Sequence, residues 1–291
     1  MNMKNFYWRL DMRQSSYDGS ASLYLVPTPI GNLDDITIRA LKVLETVDFI
    51  LCEDTRESSK LLNHFHIRKK LVSCHEYNEE KIKEYVISEL RSGKNIGLIT
   101  DQGSPIVSDP GYIISKEVID NHFNVIALPG ATAFVPALTS SGLFPSPFLF
   151  YGFLQTKESK IKKELISLSK LPYTLIFYEA PHRIEKTLVY MLEIFGNRNI
   201  SIHREISKLH EEVCRGTIQE LISIVPDLKG EFVIVVDGNH EDVDYSSMSI
   251  LEHVRLYLDD GISEKDAIKM VAKERGIAKS IVYKEYHENK K

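Results

Sequence analysis

The chain of 291 residues has three cysteines, one tryptophan and no excess of positive charge. Cys52, Cys74 and Cys214 are too few and too scattered for a disulfide framework or a zinc knuckle, and they fit a reduced, cytoplasmic setting. The nearest approach to a metal pattern is His64-x-His66, at the end of an amphipathic helical stretch. No carboxylate or thiol stands near it in ligand spacing, so it reads as a solvated pair and no metal is expected. No apolar run is long enough to span a membrane, and the first twenty residues lack the apolar core of a secretory signal. No G-x-G-x-x-G lies between the first strand and its helix, and no G-x-x-x-x-G-K-[ST] occurs anywhere. Ordinary dinucleotide and triphosphate cradles are therefore disfavoured. The net charge of −5 argues against a protein that is basic all over, but it permits a local basic patch.

What is present is a regular alternation of strand and helix. SLYLVP, DFILCE, LVSC, NIGLIT and NVIALPG read as strands, separated by helical stretches such as EEKIKEYVISELRSG, which Gly93 stops. This order predicts a mostly parallel sheet with helices on both faces. A second α/β unit begins near Ser146, and its closely connected strands predict a mixed sheet. Thr217 and Glu220 stand in capping-box spacing at the start of a helix there. Asn239 to Ser247 reads as a linker. Three short helical patterns follow, the second with Ser263 and Asp266 in the same spacing. The boundaries are a flexible lead-in over 1–21, an N-terminal α/β domain over 22–145, a C-terminal α/β domain over 146–238 and a small basic helical extension over 248–291.

Four loops follow strands of the first domain: VPTPIGN (Val26–Asn32), CEDTRE (Cys52–Glu57), DQGSPIVSDPG (Asp101–Gly111) and LPGATAF (Leu128–Phe134). Each alone is a turn. Together, at the carboxyl ends of strands, they predict the rim of one small-molecule crevice. The Gly- and Pro-rich loop with two aspartates is the most informative, because Gly admits close backbone approach and Pro fixes the turn. In CEDTRE, the residues Glu53, Asp54 and Arg56 form either a charged rim or an Asp helix cap with a neighbouring salt bridge. In YEAPHR (Tyr178–Arg183), His182 is flanked by Glu179 and Arg183, a cluster that suggests a site. From Ile268 to Lys291 there are seven Lys or Arg against three Glu. That stretch reads either as a nucleic-acid-binding surface or as a solvated helix face.

VPTPIGN, CEDTR, SPIVSDPG, LPG-x-T-A, YEAPHR and KGEFVIV, in this order, resemble the tetrapyrrole methylase superfamily. The likeness is greatest to its ribosomal branch, the small-subunit (16S) ribosomal RNA (cytidine-2′-O)-methyltransferases. The resemblance covers about Ser22 to Gly238, and the tail from near Ile250 is similar to that branch's C-terminal extension. It implies two α/β domains, S-adenosylmethionine in the cleft between them, and a homodimer. The matching cofactor positions are Pro29, Asp101, Gly103, Ser104, Pro105, Ile106, Thr132, Ala133 and Tyr178. Gln102 stands where family members usually carry a small residue, and residues 1–21 have no recognised counterpart.

The implied reaction places a methyl group, in line and without metal, on the ribose of a cytidine in the decoding centre of the assembled small subunit. His182, Glu53, Asp54 and Glu179 are the candidate bases. Arg56 and Arg183 are candidates for RNA phosphates, together with Lys269, Lys273, Arg275, Lys279 and Lys284 of the tail. Two other readings stand beside this one: a methylase of a tetrapyrrole or other small acceptor, and a non-catalytic RNA-binding relative.

Overall fold

Five short runs of the first domain pair side by side: β1 (Ser22–Leu25), β2 (Phe49–Cys52), β3 (Lys70–Ser73), β4 (Ile96–Ile99) and β5 (Asn124–Ala127). In the computed structural model, which describes residues 14, 16, 19–225, 229–240, 248–259 and 261–288, their order is β3-β2-β4-β1-β5. Every neighbouring pair is parallel. β2 and β4 are buried along their whole length, which explains their unbroken apolar sequences: a parallel strand covered on both faces has no solvent side.

The covers are α1 (Ile38–Thr46), α2 (Thr55–His64), α3 (Glu79–Arg91) and α4 (Tyr112–Asp120). Leu23, Leu51 and Leu98 enter one core with Val86 and Leu90 of α3 and Ile114 and Val118 of α4. Ile50 and Ile99 alternate to the other face, against Leu44 of α1 and Leu62 of α2. Asp54 caps α2, accepting from Arg56 N at 2.8 Å. The N-terminus of α4 is held from a distance: the buried carboxylate of Glu79 accepts from Gly111 N and Ile113 N, each at 2.9 Å.

After α5 (Phe134–Ser140) come β6 (Phe148–Phe153), α6 (Glu158–Leu168), β7 (Thr174–Glu179), α7 (Ile184–Phe195), β8 (Asn199–Arg204), β9 (Glu212–Thr217), α8 (Ile218–Ile222) and β10 (Phe232–Val236). Their sheet runs β6-β7-β10-β8-β9, with β6 and β7 parallel and the other pairs antiparallel, as a mixed sheet requires. β6 carries a register shift between Phe150 and Gly152. The Thr217–Glu220 capping box forms at α8. One face packs on α6, α7 and α8 through Leu175, Phe177 and Ile234. The other meets Ala137 and Leu138 of α5 through Ile176, Val233 and Val235, so a helix that begins on the first sheet's last loop covers the second sheet.

Two compact units result, Met1–Asn239 and His240–Lys291, and both sheets belong to the first. The second unit is α9 (Ile250–Asp259), α10 (Glu264–Glu274) and α11 (Lys279–Glu288), closed around Val254, Ile268, Val271, Val282 and Tyr286. Ser263 caps α10 from the expected position. Most of the expected lead-in, and 241–247 of the expected linker, lie outside the described residues. Within the lead-in, Gln14 is docked: its side-chain amide donates to Val125 O at 2.7 Å and accepts from Val125 N at 2.9 Å, on the edge strand β5. Among the described residues no helix is long and apolar enough to cross a membrane.

Candidate functional site: a cleft at the strand ends

The four loops leave the carboxyl ends of β1, β2, β4 and β5, and hydrogen bonds fasten them together. Thr28 N donates to Gly103 O at 2.9 Å, and Gly103 N donates to Thr28 O at 3.1 Å. Ser104 Oγ donates to Ala131 O at 3.1 Å, and Asp54 N donates to Asp101 Oδ1 at 3.3 Å. Gly130 lies so near the first loop that a side-chain carbon on it would be 2.5 Å from Pro27 Cβ. The loops therefore share one location despite their separation in sequence.

The central loop is strained. Gly103 has φ +85°, which glycine adopts without steric penalty. Ile106 at φ +76° and Ser108 at φ +68° have no such freedom, and such residues cost on the order of 1–3 kcal/mol each. A β-branched residue with positive φ is a genuine outlier, and conformations of this kind concentrate at ligand sites.

These loops line a cleft of about 550 Å³, within the range of roughly 300–1,000 Å³ common for small-molecule sites. Asp101, Gln102, Gly103, Ser104, Asp109, Thr132 and Ala133 form the first sheet's side, with Ile30. Phe153, Tyr178, Pro181, Glu231 and Val233 form the second sheet's side. Six of the nine expected cofactor positions are on this wall: Asp101, Gly103, Ser104, Thr132, Ala133 and Tyr178. Pro29 and Pro105 are buried and Ile106 half-buried, off the wall, where they shape the loops. Gln102 is exposed to the cleft, while its backbone carbonyl accepts from Thr100 Oγ1 at 3.2 Å.

The expected bases separate. His182 is exposed on the turn before α7 and is not on the cleft wall. Glu179 touches the wall, but its carboxylate is occupied: it accepts from Thr187 Oγ1 at 2.6 Å and Ala180 N at 2.8 Å, and meets Arg183 Nε at 3.2 Å. Arg183, expected at RNA phosphate, faces inward instead, donating also to the carbonyls of Leu154 and Gln155 at 2.9 and 2.8 Å. The YEAPHR cluster thus holds its own turn, because a buried carboxylate requires such donors. Asp54 combines the cap and the salt bridge expected as the structural alternative, meeting Arg56 Nη2 at 2.7 Å. Those contacts with Arg56 hold its carboxyl down at about 2.

Other carboxyls shift upward. Burial raises Glu53 and Asp101, and like charges add to the effect. Asp109 is pushed up to about 7, first by burial and then by Glu53 and Asp101. The sequence places Asp109 within the Gly- and Pro-rich motif without giving it a role; the presence of a second aspartate in that loop is the available signal. Phe153, Glu231 and Val233 give no such signal, since they reach the cleft only through the second sheet's docking. Burial also raises the Tyr178 phenol, against hydrogen bonding with Thr132.

Of the tail residues, Lys269, Lys273, Lys279 and Lys284 are exposed. Arg275 differs: it donates to His253 Nδ1 at 3.1 Å and to Met248 O at 2.6 Å, and so braces its own helical unit.

A paired-sheet α/β protein with a cleft at the strand ends is the architecture of a known family, and the family described as Tetrapyrrole (Corrin/Porphyrin) Methylases matches residues 22–222. The chain belongs to the tetrapyrrole methylases, within the branch of the ribosomal RNA small subunit methyltransferases I. It is 46% identical over 286 residues to the Bacillus subtilis protein named Ribosomal RNA small subunit methyltransferase I, covering 94% of this chain and 98% of that one. Identity to the protein of that name from Halalkalibacterium halodurans is 45%, over 94% and 99% of the two chains. Among solved structures, a uroporphyrin-III-C-methyltransferase from Thermus thermophilus shares the fold with TM-score 0.54 and 20% identity, over 75% of this chain and 94% of that one. A diphthine synthase does so with TM-score 0.56 and 15% identity, over 75% and 90%.

Proposed function

We propose that the protein is an S-adenosylmethionine-dependent ribosomal RNA methyltransferase. Its acceptor is the ribose 2′-hydroxyl of a cytidine in the decoding centre of the small ribosomal subunit, and it acts as a cytoplasmic homodimer. The observation that carries this reading is the fastening of four distant loops around one cleft, in a chain that aligns with nearly the whole length of relatives named as small-subunit RNA methyltransferases.

The lining suits the cofactor. Asp101 offers negative charge to a sulfonium and an ammonium, while Ser104 and Thr132 offer hydroxyls. At Gly103 the backbone is open, with only Ile30 Cγ2 near the direction of a side chain, at 3.5 Å. Ile30, Phe153 and Val233 supply apolar surface for a ring. Once bound, the cofactor supplies an electrophilic methyl group.

The chain's own residues then orient and exclude. Fixing the acceptor oxygen in line supplies about 7–11 kcal/mol of the barrier. The interlocked loops provide a rigid frame for that alignment, and no metal enters the step. For the polymer, the exposed Lys269, Lys273, Lys279 and Lys284 give a basic surface on a negative protein, and Arg56, with 85% of its side chain exposed, gives another cation. Neutralised phosphates release counterions, which makes such binding salt-dependent.

The test is transfer of labelled methyl from S-adenosylmethionine to small ribosomal subunits, with uroporphyrinogen offered in parallel. Label in a ribose-methylated cytidine of the subunit RNA is the expected result. Label in the tetrapyrrole alone, or in neither acceptor, would overturn the reading.

A further inference from the structure

Four carboxyl groups line the cleft: Asp101, Asp109, Glu179 and Glu231. Three are engaged. Asp101 accepts from Asp54 N, Glu179 holds the YEAPHR turn, and Glu231 accepts from Lys208 Nζ at 2.8 Å. Asp109 alone of the four has no hydrogen-bond or ion-pair partner among the described residues. We propose that Asp109 is the catalytic proton acceptor for the acceptor hydroxyl, an inference that rests on the function proposed above.

Its position is fixed from both directions. Two residues on, Gly111 N is held by Glu79, and Ile106 N donates to Pro110 O at 3.3 Å across the turn. One residue before, Ser108 Oγ lies 2.9 Å from where a side-chain carbon on Gly152 would stand, in the irregular stretch of β6. The loop thus runs from the first sheet to the second, with Asp109 between them. Glu53 and Asp101 face it on the first sheet's side; Tyr178, Glu179 and Glu231 stand on the second's. A carboxyl pushed up to about 7 is half ionised at neutral pH, the condition under which a general base combines availability with proton affinity.

In the step, the acceptor's O–H bond breaks and its proton goes to a carboxylate oxygen of Asp109. The hydroxyl oxygen's electron pair forms the new C–O bond to the methyl carbon, and the C–S pair returns to sulfur. The products are a methyl ether, a neutral thioether and a neutral carboxylic acid on Asp109.

The experiment compares wild type with Asp109→Asn and Asp109→Glu. In the Asn variant, kcat for RNA methylation falls by about 10²–10⁴-fold, while calorimetric affinity for S-adenosylhomocysteine stays within a few-fold. Asp109→Glu recovers part of the rate. Wild-type kcat/KM, which reports the free enzyme, rises with pH through about 7, and this limb is lost in Asp109→Asn. Carboxyl ¹³C resonances of the cofactor-free protein place the Asp109 midpoint near 7. Unimpaired turnover in Asp109→Asn, or a midpoint in the ordinary range near about 3.9, overturns the proton step alone. A wild-type protein that methylates no RNA overturns the function and the step together.

Discussion

Ser108 of the first sheet's longest loop closely approaches Gly152 of β6 in the second sheet: its hydroxyl oxygen lies 2.9 Å from the position a Cβ on Gly152 would take. Gly152 also has φ +80°. Gly152→Ala is therefore expected to push the Ser108 hydroxyl aside, to strain the backbone at its positive φ, and to lower methyl transfer. Adding Ser108→Gly removes the clash and recovers part of the rate. A double-mutant cycle on kcat measures the coupling, which reaches about 0.5–3 kcal/mol for residues that touch.

Arg183 is a structural residue in this arrangement. Arg183→Ala leaves the buried Glu179 carboxylate with only Thr187 and a backbone amide. Removing one partner of a buried pair costs about 3–5 kcal/mol, and the two remaining donors place this case at the low end. Denaturant unfolding should show that loss. The salt dependence of RNA binding by the folded fraction should be unchanged.

Stability should also report Asp109. Its folded-state pKa lies above the unfolded value, so the folded protein retains a proton that the unfolded chain releases. The resulting penalty is absent at pH below the ordinary carboxylate range, grows as pH rises, and is complete above about 7. Asp109→Asn removes the penalty. Its gain in Tm over wild type should be larger at pH 8 than at pH 5, at about 2–4 °C per kcal/mol for a chain of this class.

Lys279 and Lys284 are expected to act on RNA alone. Replacing both with Ala should weaken RNA binding and make log K fall less steeply with log salt, by about 1 in slope for each phosphate left without its lysine. Affinity for S-adenosylhomocysteine, measured by calorimetry, should not change.

Gly103→Ala should cost about 1–2 kcal/mol of stability through its left-handed backbone. The nearest atom to the added carbon is at an ordinary van der Waals distance of 3.5 Å, so sterics add little. Chemical denaturation of the variant checks the size of the loss.

The alternation of elements was legible because it rests on local pattern: β2 and β4 are apolar throughout, and Asp54 and Thr217 are caps that a few residues specify. The convergence of the loops was legible too, since strands in a parallel sheet deliver their carboxyl ends to one side. Side-chain direction was not. Arg183 turns inward to carbonyls 28 and 29 residues away, and Arg275 to a histidine 22 residues away. Such partners are set by packing that no local pattern records. Asp109 was hidden for the opposite reason: what marks it is the lack of a partner, which only the folded chain can reveal.

Gln14 makes with Val125 the two bonds that another strand would make. It thereby acts as a plug: the outermost backbone of the first sheet is satisfied there and offers no template at that point for an intruding chain. The rim of the sheet is thus closed to strand exchange at Val125 by a single side chain rather than by a neighbouring strand.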